Sequence, residues 1–449
     1  MRFVSTRGKA SAASLGTALF DGLAPDGGLY VPDVIEPWPA DEIDRLSSCS
    51  LQELGVRVLK PFAAGAIDEA TLSAVVHEAL DFPIPLVEIE PGIFALELFH
   101  GPTLAFKDVG ARVMARLMAV LGGDVTVLTA TSGDTGSAVA NAFYGIASAR
   151  VVILYPDGRV SPTQEAQLTM FNSDSGSNVR GYAVAGSFDD CQRLVKEAFA
   201  DKSLRRRIPL TSANSINVGR LLPQMIYYFQ AVAELRRLMS ASVAPMICTP
   251  SGNFGNLTAG LMARRAGAPI TRFVAATNVN DVVPEYLATG RFTPRASIHT
   301  IANAMDVGNP SNFERLLWLY DGDLEAVRRD VIGSRHQDDE VRATIRRVYD
   351  RSGYVLDPHS AIGYLGIKGQ VGREGQEGRE GQGGQGGQEG RVGVFLATAH
   401  PAKFPEVVEP VIGRSIEKPA PLVHALAQPR QVFRIEATIA AVREAVVGA

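Results

Sequence analysis

The sequence predicts an α/β protein in which parallel or mixed β-sheets are flanked by helices. From about residue 126 onward, short runs rich in β-branched residues alternate with segments of helical length. Most of the short runs are apolar throughout, which is typical of strands buried on both faces of a parallel sheet. The composition supplies enough apolar side chains for a sizeable core, with 46% hydrophobic and 20% charged residues among 449.

The alternation can be followed along the chain. The predicted strands are, in order, VTVLTA, VVILYP, VRGYAVAG, PMICTP, ITRFVAATN and VGVFLAT. The predicted helices are VGARVMARLM, SGDTGSAVANAFYGIA, FDDCQRLVKEAFA, LLPQMIYYFQAVAEL and LTAGLMARRAG. Strands that alternate with helices in this way form a parallel sheet, because each helix crosses over from one strand to the next and covers a face.

The alternation also divides the chain. Residues 1–95 lack it and are predicted to form a separate amino-terminal domain, which leaves residues 96–449 for the main domain with two α/β subdomains. Within the main domain, residues 369–391 form a near-tandem repeat of Gly, Gln, Glu and Arg with no apolar residue after Val371. Such a segment cannot offset its ordering entropy by burial. We expect a mobile surface insertion without a catalytic role.

Composition and charge exclude several classes of protein. The formal net charge is only −4 and no basic stripe is present, which argues against a nucleic-acid partner. Three scattered cysteines argue against a disulfide framework, and His359 and His400 lack the spacing of metal ligands. No apolar stretch approaches the ~20 residues that span a bilayer, and the amino terminus lacks the core of a secretory signal. We expect a cytoplasmic protein without membrane, nucleic-acid or metal partners.

Lys107 is the first candidate for a chemical role. It stands between the apolar lead-in Leu104-Ala105-Phe106 and a helical run, a setting that an ammonium group does not favour. The alternative is a surface lysine whose stem packs along the protein while its charge reaches solvent. A partly buried lysine is more easily neutral, and a neutral amine is a nucleophile.

Two strand–helix junctions are rich in glycine and small hydroxyl residues. In TATSGDTGSA, Thr131 or Ser132 is placed to cap a helix whose first amides could hold a carboxylate. In TPSGNFGNLTAG, backbone N–H groups could converge at a helix start and bind phosphate, from Gly252, Asn253, Phe254, Gly255 and Asn256. The alternatives are capping alone and a plain glycine-rich turn. Neither junction contains the dinucleotide fingerprint or the Walker loop.

Two further junctions place an arginine after a predicted strand. YPDGRVSPTQ contains Arg159 and Ser161, and SANSINVGR contains Asn217 and Arg220 near the head of a helix. Arginines at the ends of strands suit oxyanions such as a phosphate monoester, with serine and asparagine as neutral donors. The alternative is that both arginines are solvated at the surface.

The chain resembles the threonine synthase family in five motifs that occur together: FHGPTLAFKD, TATSGDTGSA, SANSINVGR, SGNFGN and ATAHPAKF. The opening STRG and GLAPDGGLYVP are also similar to that family, so the resemblance covers nearly the whole chain. It implies a fold-type II pyridoxal phosphate enzyme with an amino-terminal threonine synthase domain, related to tryptophan synthase β and to serine/threonine dehydratases. Such an enzyme is a carbon–oxygen lyase that converts O-phospho-L-homoserine and water to L-threonine and phosphate.

The resemblance implies roles for the candidate residues. Lys107 matches the lysine that forms a Schiff base with pyridoxal phosphate and then removes the substrate α-proton. Thr398 matches the partner of the pyridine nitrogen, and Asp134 falls beside the 3-hydroxyl, where a carboxylate must share a proton. The loop of residues 252–256 matches the cradle of the cofactor phosphate. The substrate carboxylate and phosphate would be held by Thr131, Ser132 and Thr135 and by Arg159, Ser161, Asn217 and Arg220, respectively.

Three functions remain open at this point. The favoured one is threonine synthase, the second is a related lyase acting on another phosphorylated amine or on serine or threonine, and the third is a binding protein without catalysis. The presence of Lys107, the phosphate loop and Thr398 counts against the third, and the arginines count against a plain dehydratase. Both a monomer and a homodimer agree with the sequence.

Overall fold

The computed structural model describes residues 1–239, 243–380 and 392–448, and for residues 372–380 it describes the backbone alone. Within these ranges the strands are β1 (Phe3–Ser5), β2 (Tyr30–Pro32), β3 (Leu86–Glu90), β4 (Ile93–Glu97), β5 (Val125–Ala130), β6 (Ala149–Pro156), β7 (Val179–Val184), β8 (Leu210–Thr211), β9 (Met246–Pro250), β10 (Phe273–Thr277), β11 (Val331–Arg335), β12 (Gly393–Ala397) and β13 (Phe433–Ile435).

The α-helices are α1 (Leu15–Asp21), α2 (Ala40–Asp44), α3 (Leu51–Ala63), α4 (Glu69–Ala79), α5 (Lys107–Leu121), α6 (Asp134–Phe143), α7 (Pro162–Thr169), α8 (Phe188–Ala200), α9 (Lys202–Arg207), α10 (Val218–Leu221), α11 (Met225–Leu238), α12 (Gly255–Arg265), α13 (Val282–Thr289), α14 (Phe313–Leu319), α15 (Leu324–Asp330), α16 (Asp338–Ser352), α17 (Pro358–Glu380), α18 (Pro405–Ile412), α19 (Ala420–Ala427) and α20 (Ile439–Gly448). Short 3₁₀ helices lie at Leu46–Ser48, Leu222–Gln224, Asn303–Met305 and Pro401–Lys403.

The smaller of the two large sheets has five parallel strands in the order β13-β7-β6-β5-β8. Successive side chains of a strand point to opposite faces, so each buried strand contributes to two cores. In β5, Val127 packs in a core with Phe143 of α6, whereas Leu128 packs in another core with Leu194 of α8. The sheet is therefore covered on both faces, as the apolar runs predicted.

The larger sheet has six strands in the order β11-β10-β9-β12-β4-β3, and all pairs are parallel except β3 with β4. Its strands also serve two cores: Ile247 of β9 packs with Leu257 of α12, and the next residue, Cys248, packs with Ile362 of α17. The predicted boundary after residue 95 falls inside β4, which pairs with the distant strand β12, Ile93 opposite Gly393. The hairpin β3–β4 thus joins the larger sheet.

The amino-terminal part is mainly helical. Helix α3 buries Leu54, Val58 and Phe62, which recur at helical spacing, and begins with a capping box between Ser50 and Glu53. The strands β1 and β2 pair antiparallel in a small sheet of their own.

Arg315 of α14 ties this amino-terminal part to the main domain. Its side chain is fully buried and donates to the carbonyl of Tyr30 in β2 at 2.9 and 3.1 Å. It also donates to the carbonyls of Ser215 and Ile216 at 3.0 and 2.6 Å, and to Asn312 Oδ1 at 2.7 Å. One cation therefore holds together three segments that are far apart in the chain.

One expectation is wrong for part of its range. The segment 369–391 was expected to be a mobile insertion, but the backbone of α17 remains helical from Pro358 to Glu380. A helix that is already nucleated extends at small cost, and Gln, Glu and Arg are good helix formers, so the repeat continues the helix despite its glycines. Residues 381–391 lie outside the described residues.

Two further findings concern the described part of the chain. The three cysteines are buried and free, as their spacing indicated. Among the described helices, none has the length and apolarity needed to cross a membrane.

Candidate active site

A cavity of about 460 Å³ lies where strands of both large sheets end. Its lining includes the residues that directly follow β5, β8, β9 and β12, namely Thr131, Ser212, Ser251 and Thr398. In open α/β sheets, ligands bind outside the carboxyl ends of the strands. The cavity has this position and is large enough for a small-molecule ligand.

Lys107 lines this cavity as the first residue of α5. The preceding chain turns through Leu104, which has a positive φ of 59°. Phe106 is then fixed at both ends: its N–H donates to the Thr398 carbonyl at 2.9 Å, and its carbonyl accepts from the Tyr227 hydroxyl at 2.5 Å. These bonds hold the start of α5 against the end of β12, so the base of the lysine side chain is firmly placed.

The surroundings of Lys107 favour its neutral form. Its side chain is only 14% exposed, and burial lowers the pKa of its amine. The carboxylate of Asp134, 3.5 Å from Nζ, opposes this effect, whereas the charges of Lys403 and Arg220 lower the pKa further. The net result is a lowered pKa, so Lys107 is a better nucleophile and base than an ordinary lysine, as its sequence setting indicated.

Asp134, the first residue of α6, is an ionised carboxylate. Burial raises its pKa, but the charges of Lys403 and Lys107 outweigh burial and hold the pKa well below its usual range. Lys403 Nζ lies 2.8 Å from Oδ1, and Gln164 Nε2 donates to the same oxygen at 3.0 Å. The sequence indicated that a carboxylate at this position must share a proton with the cofactor hydroxyl. Lys403 keeps Asp134 ionised, so the carboxylate can accept a hydrogen bond without carrying the proton itself.

The turn between β5 and α6 is organised by Thr131. Its Oγ1 accepts hydrogen bonds from the N–H groups of Gly133 at 2.9 Å and of Gly136 at 2.8 Å. The sequence predicted Thr131 or Ser132 as the cap of this helix, but the residue at the cap position is Gly133, and Thr131 satisfies a first-turn amide from two residues upstream. Gly133 has a φ of 137°, a conformation that favours glycine. Ser132 and Thr135 line the cavity beside the start of the helix, where the helix dipole favours an anion.

The loop of residues 252–256 follows the end of β9, lines the cavity and leads into α12. Phe254 adopts a left-handed conformation with a φ of 60°, which turns the chain into the helix. Asn253 is held on both sides, because its Nδ2 donates to Ser215 Oγ and its Oδ1 accepts from the N–H of Ser311, each at 2.5 Å. A strand end, a tight turn and a helix amino terminus together form the arrangement that binds phosphate through backbone amides.

Two cavity-lining residues carry a buried N–H donor without a protein partner. One donor is Nδ2 of Asn256, whose Oδ1 accepts from the Tyr228 hydroxyl at 2.9 Å. The other is Nε of Arg220, a buried arginine whose Nη1 donates to the Ala213 carbonyl at 2.5 Å. Buried donors are normally satisfied, so the unpartnered amide of Asn256 indicates a ligand that accepts hydrogen bonds, whereas Nε of Arg220 lies beside Gly110 of α5. Pyridoxal phosphate fits this set of residues, because it offers both an anion and an aldehyde that a neutral amine attacks.

Three residues that were expected to bind the substrate phosphate do not line the cavity. Arg159 is exposed, and Ser161 caps α7 by accepting from the N–H of Gln164 at 3.1 Å. Asn217 is fully buried; it caps α10 and donates to the Leu19 carbonyl at 2.8 Å. The rule that ligands bind at strand ends does not distinguish the strand beside the cavity, β5, from its neighbour β6. Of the four expected phosphate ligands, the cavity includes Arg220 alone.

Sequence reasoning missed two side chains at this site. Lys403 lies in the motif ATAHPAKF, where a lysine flanked by Pro, Ala and Phe was a usable signal of burial. His359 lines the cavity; its Nδ1 lies 2.7 Å from Asp357 Oδ2, and its Nε2 accepts from the N–H of Ala304 at 3.2 Å. These partners place a proton on Nδ1 and hold the ring between Asp357 and the backbone of Ala304. Within the described residues, no cluster of His, Cys, Asp and Glu has the makings of a metal site.

Comparisons with known proteins identify the family of the chain. Residues 81–380 match the family model of pyridoxal-phosphate dependent enzymes, residues 2–80 match that of the threonine synthase N terminus, and residues 381–446 match that of the threonine synthase C-terminal region. The chain is 44% identical to a threonine synthase of Haemophilus influenzae over 90% of both chains.

Two solved structures are similar over nearly their entire length. A threonine synthase from Escherichia coli has a TM-score of 0.89 at 38% identity and covers 100% of both chains. A pyridoxal phosphate-bound threonine synthase from Brucella melitensis has a TM-score of 0.88 at 38% identity, covering 99% of this chain and 98% of that one. These matches confirm the fold and the cofactor that the resemblance implied. The chain belongs to the threonine synthase family of pyridoxal phosphate-dependent enzymes.

Proposed function

We propose that the protein converts O-phospho-L-homoserine and water to L-threonine and inorganic phosphate. The observation that carries this proposal is a single cavity that combines a lysine of lowered pKa with two separate sets of anion-binding donors. One set is the loop of residues 252–256, and the other centres on Arg220. A cofactor that bears one phosphate and a substrate that bears another require two such sets.

Pyridoxal phosphate supplies a conjugated ring that accepts the electron pair left at the substrate α-carbon. The loop of residues 252–256, with the unpartnered Nδ2 of Asn256, would hold its phosphate. Thr398, at the end of β12, would face the pyridine nitrogen, and Asp134 would face the 3-hydroxyl. Because Asp134 is ionised, its carboxylate would accept a hydrogen bond from this hydroxyl.

Lys107 moves the protons. Its lowered pKa lets the amine take the proton from the substrate α-carbon at neutral pH, which an ordinary lysine with a pKa near 10.4 does poorly. The hydrogen bonds of Phe106 fix the backbone next to Lys107. The lysine side chain therefore loses little conformational entropy when it orients its amine toward the reacting carbon.

The first turn of α6 would hold the substrate carboxylate. Ser132 and Thr135 line the cavity there, and the helix dipole adds a favourable partial charge. The Oγ1 of Thr131 already accepts two amide hydrogen bonds, so its own proton remains available for a carboxylate oxygen.

Arg220 would bind the substrate phosphate. Burial lowers the pKa of its guanidinium, with weaker opposing effects from Tyr227 and Asp108, but arginine remains charged at neutral pH. A charged, buried donor near Lys107 can stabilise a leaving phosphate dianion at the site where water must stay excluded until it adds to the β-carbon.

The experiment is a substrate panel with two readouts, threonine formed and phosphate released. O-phospho-L-homoserine should give both products in equal amounts, and Lys107→Ala should abolish them together with the visible absorbance of the lysine-bound cofactor. O-phospho-L-serine, serine and threonine should give neither product. Formation of a keto acid from serine or threonine would instead assign the protein to the dehydratases.

A matched pair of arginine variants tests the phosphate ligand. Arg220→Ala should lower kcat/KM for O-phospho-L-homoserine at least tenfold, because charged hydrogen bonds contribute about 1.5–3 kcal/mol and ~1.4 kcal/mol equals one factor of ten. Arg159→Ala, which removes an exposed arginine outside the cavity, should change it less than about twofold. A large decrease in kcat/KM for Arg159→Ala and a small one for Arg220→Ala would assign phosphate binding to Arg159 instead.

A further inference from the structure

Lys403 is a fully buried lysine whose ammonium group has two close partners. Nζ lies 2.8 Å from Asp134 Oδ1 and donates to the Thr103 carbonyl at 2.8 Å. It is the last residue of the 3₁₀ helix that follows β12, and it does not line the cavity. A buried charge is costly unless it is paired, so this lysine needs a specific reason to be there.

Asp134 has two lysine neighbours at unequal distances. Lys403 approaches Oδ1 at 2.8 Å with a fully buried side chain, whereas Lys107 approaches Oδ2 at 3.5 Å and is partly exposed to the cavity. One carboxylate cannot neutralise two ammonium groups in a poorly solvated site. Lys403 makes the shorter contact with this carboxylate and is also held by the Thr103 carbonyl, so Lys107 is left with the longer and weaker contact.

We propose that Lys403 is a positioning residue for the reaction: as the fixed counter-ion of Asp134, it denies Lys107 a full ion-pair partner and thereby keeps the Lys107 amine neutral. The inference rests on the proposed role of Lys107 in the reaction. Lys403 does not line the cavity and contacts Asp134, so it acts mainly through this carboxylate, and its charge adds a direct repulsion on the Lys107 amine.

The other charged groups near these lysines are compatible with this role. Arg220 contributes a second positive charge beside Lys107. Asp108 is buried near Lys403, but both of its oxygens are engaged by Thr103, through Oγ1 at 2.5 Å and the N–H at 2.9 Å. Asp134 is therefore the carboxylate through which the two lysines influence each other.

The test measures the titration of Lys107 directly in the full-length protein freed of cofactor. Acetic anhydride acetylates neutral amines, and mass spectrometry of the Lys107 peptide across roughly pH 6–10 gives the midpoint of its titration. Lys403→Met should raise this midpoint by at least about one pH unit, because the released carboxylate then pairs with Lys107 alone. Lys403→Gln, which keeps a hydrogen-bond donor for Thr103, should give the same rise if the methionine variant folds poorly.

Two controls decide the interpretation. Lys60→Met removes an exposed lysine paired with Glu69 and should leave the midpoint unchanged. In an Asp134→Asn background, adding Lys403→Met should raise the midpoint by less than half as much as in the wild type, because only the direct repulsion by Lys403 is then removed. An unchanged midpoint in a folded Lys403 variant, or an equally large rise in the Asp134→Asn background, overturns the inference.

The outcome is separable from that of the proposed function. Borohydride reduction of the wild-type holoenzyme, followed by peptide mapping, identifies the lysine that carries the cofactor. A cofactor on another lysine would end the proposed role of Lys107, whereas an unchanged midpoint ends only the role of Lys403.

Discussion

Replacing Arg315 by methionine should both destabilise the protein and weaken cofactor binding. The guanidinium donates five hydrogen bonds, four of them to the backbone carbonyls of Tyr30, Ser215 and Ile216. Methionine has a similar reach but no donors, so the carbonyls of Tyr30 and Ile216 lose these hydrogen bonds, whereas the Ser215 carbonyl keeps the Asn312 amide at 3.3 Å. Each unsatisfied buried acceptor costs about 1–3 kcal/mol. Relief of the buried charge offsets part of this loss. We expect a net decrease in the free energy of unfolding of about 3 kcal/mol.

The cofactor effect follows from the same contacts. Ser215, whose carbonyl Arg315 holds, also accepts through Oγ from Asn253 of the phosphate loop. Loosening this residue should lower the affinity for pyridoxal phosphate by about tenfold, or ~1.4 kcal/mol. Urea unfolding, monitored separately by tryptophan fluorescence and circular dichroism, measures the stability, and titration of the visible cofactor band measures the affinity.

Arg329→Met is the matched control, because Arg329 is exposed on the next helix, α15. It should change the stability by less than about 0.5 kcal/mol. A free energy of unfolding within about 1 kcal/mol of the wild type, together with unchanged cofactor affinity, would refute both roles of Arg315. A loss of stability with normal cofactor affinity would confine the role of Arg315 to docking of the amino-terminal part.

Three other predictions follow from named contacts. Gly133→Ala should lower kcat/KM at least tenfold, because φ is 137° and the new Cβ would lie 2.4 Å from the Gln164 amide that bonds Asp134. Replacing residues 373–391 by a short Gly/Ser linker should lower threonine formation less than about tenfold, since this stretch has no apolar side chain to contribute to a core. Burial raises the pKa of Asp306 to about 6, so its contribution to stability is present at low pH and is lost as the pH rises through 6. The stability of the wild type relative to Asp306→Asn should therefore fall between about pH 4 and about pH 7, as thermal unfolding would show.

The local elements were predictable because their signals are local. The apolar runs of β5 and β6 and the span of α8, which matches FDDCQRLVKEAFA residue for residue, follow from periodicity and from buried β-branched side chains. The position of Lys107 at the start of a helix was predictable for the same reason. What these patterns lack is the order of strands in a sheet, and the mixed larger sheet and the placement of β4 could not be read from them.

The site residues were predictable only where a single turn between a strand and a helix supplies all of them. The loops after β5 and β9 are of this kind, and Thr131 and residues 252–256 line the cavity as expected. Arg159 also follows a strand, but β6 lies one position away from the cavity, and its turn faces solvent. Lys403, the counter-ion of Asp134, is distant from it in the sequence, so no local pattern relates the two residues.

This separation has a consequence for the growing chain on the ribosome. Lys403 and its partner Thr103 are 300 residues apart, so at roughly 5–20 residues per second they are synthesised roughly 15–60 seconds apart. During that interval Lys107 and Asp134 already exist without the second lysine, and the carboxylate is free to pair with Lys107 as an ordinary ion pair. The amine becomes poised for an aldehyde only when the last strand of the larger sheet and the 3₁₀ helix after it have joined the fold. On the role proposed for Lys403, we therefore expect cofactor capture to wait until the chain is nearly complete.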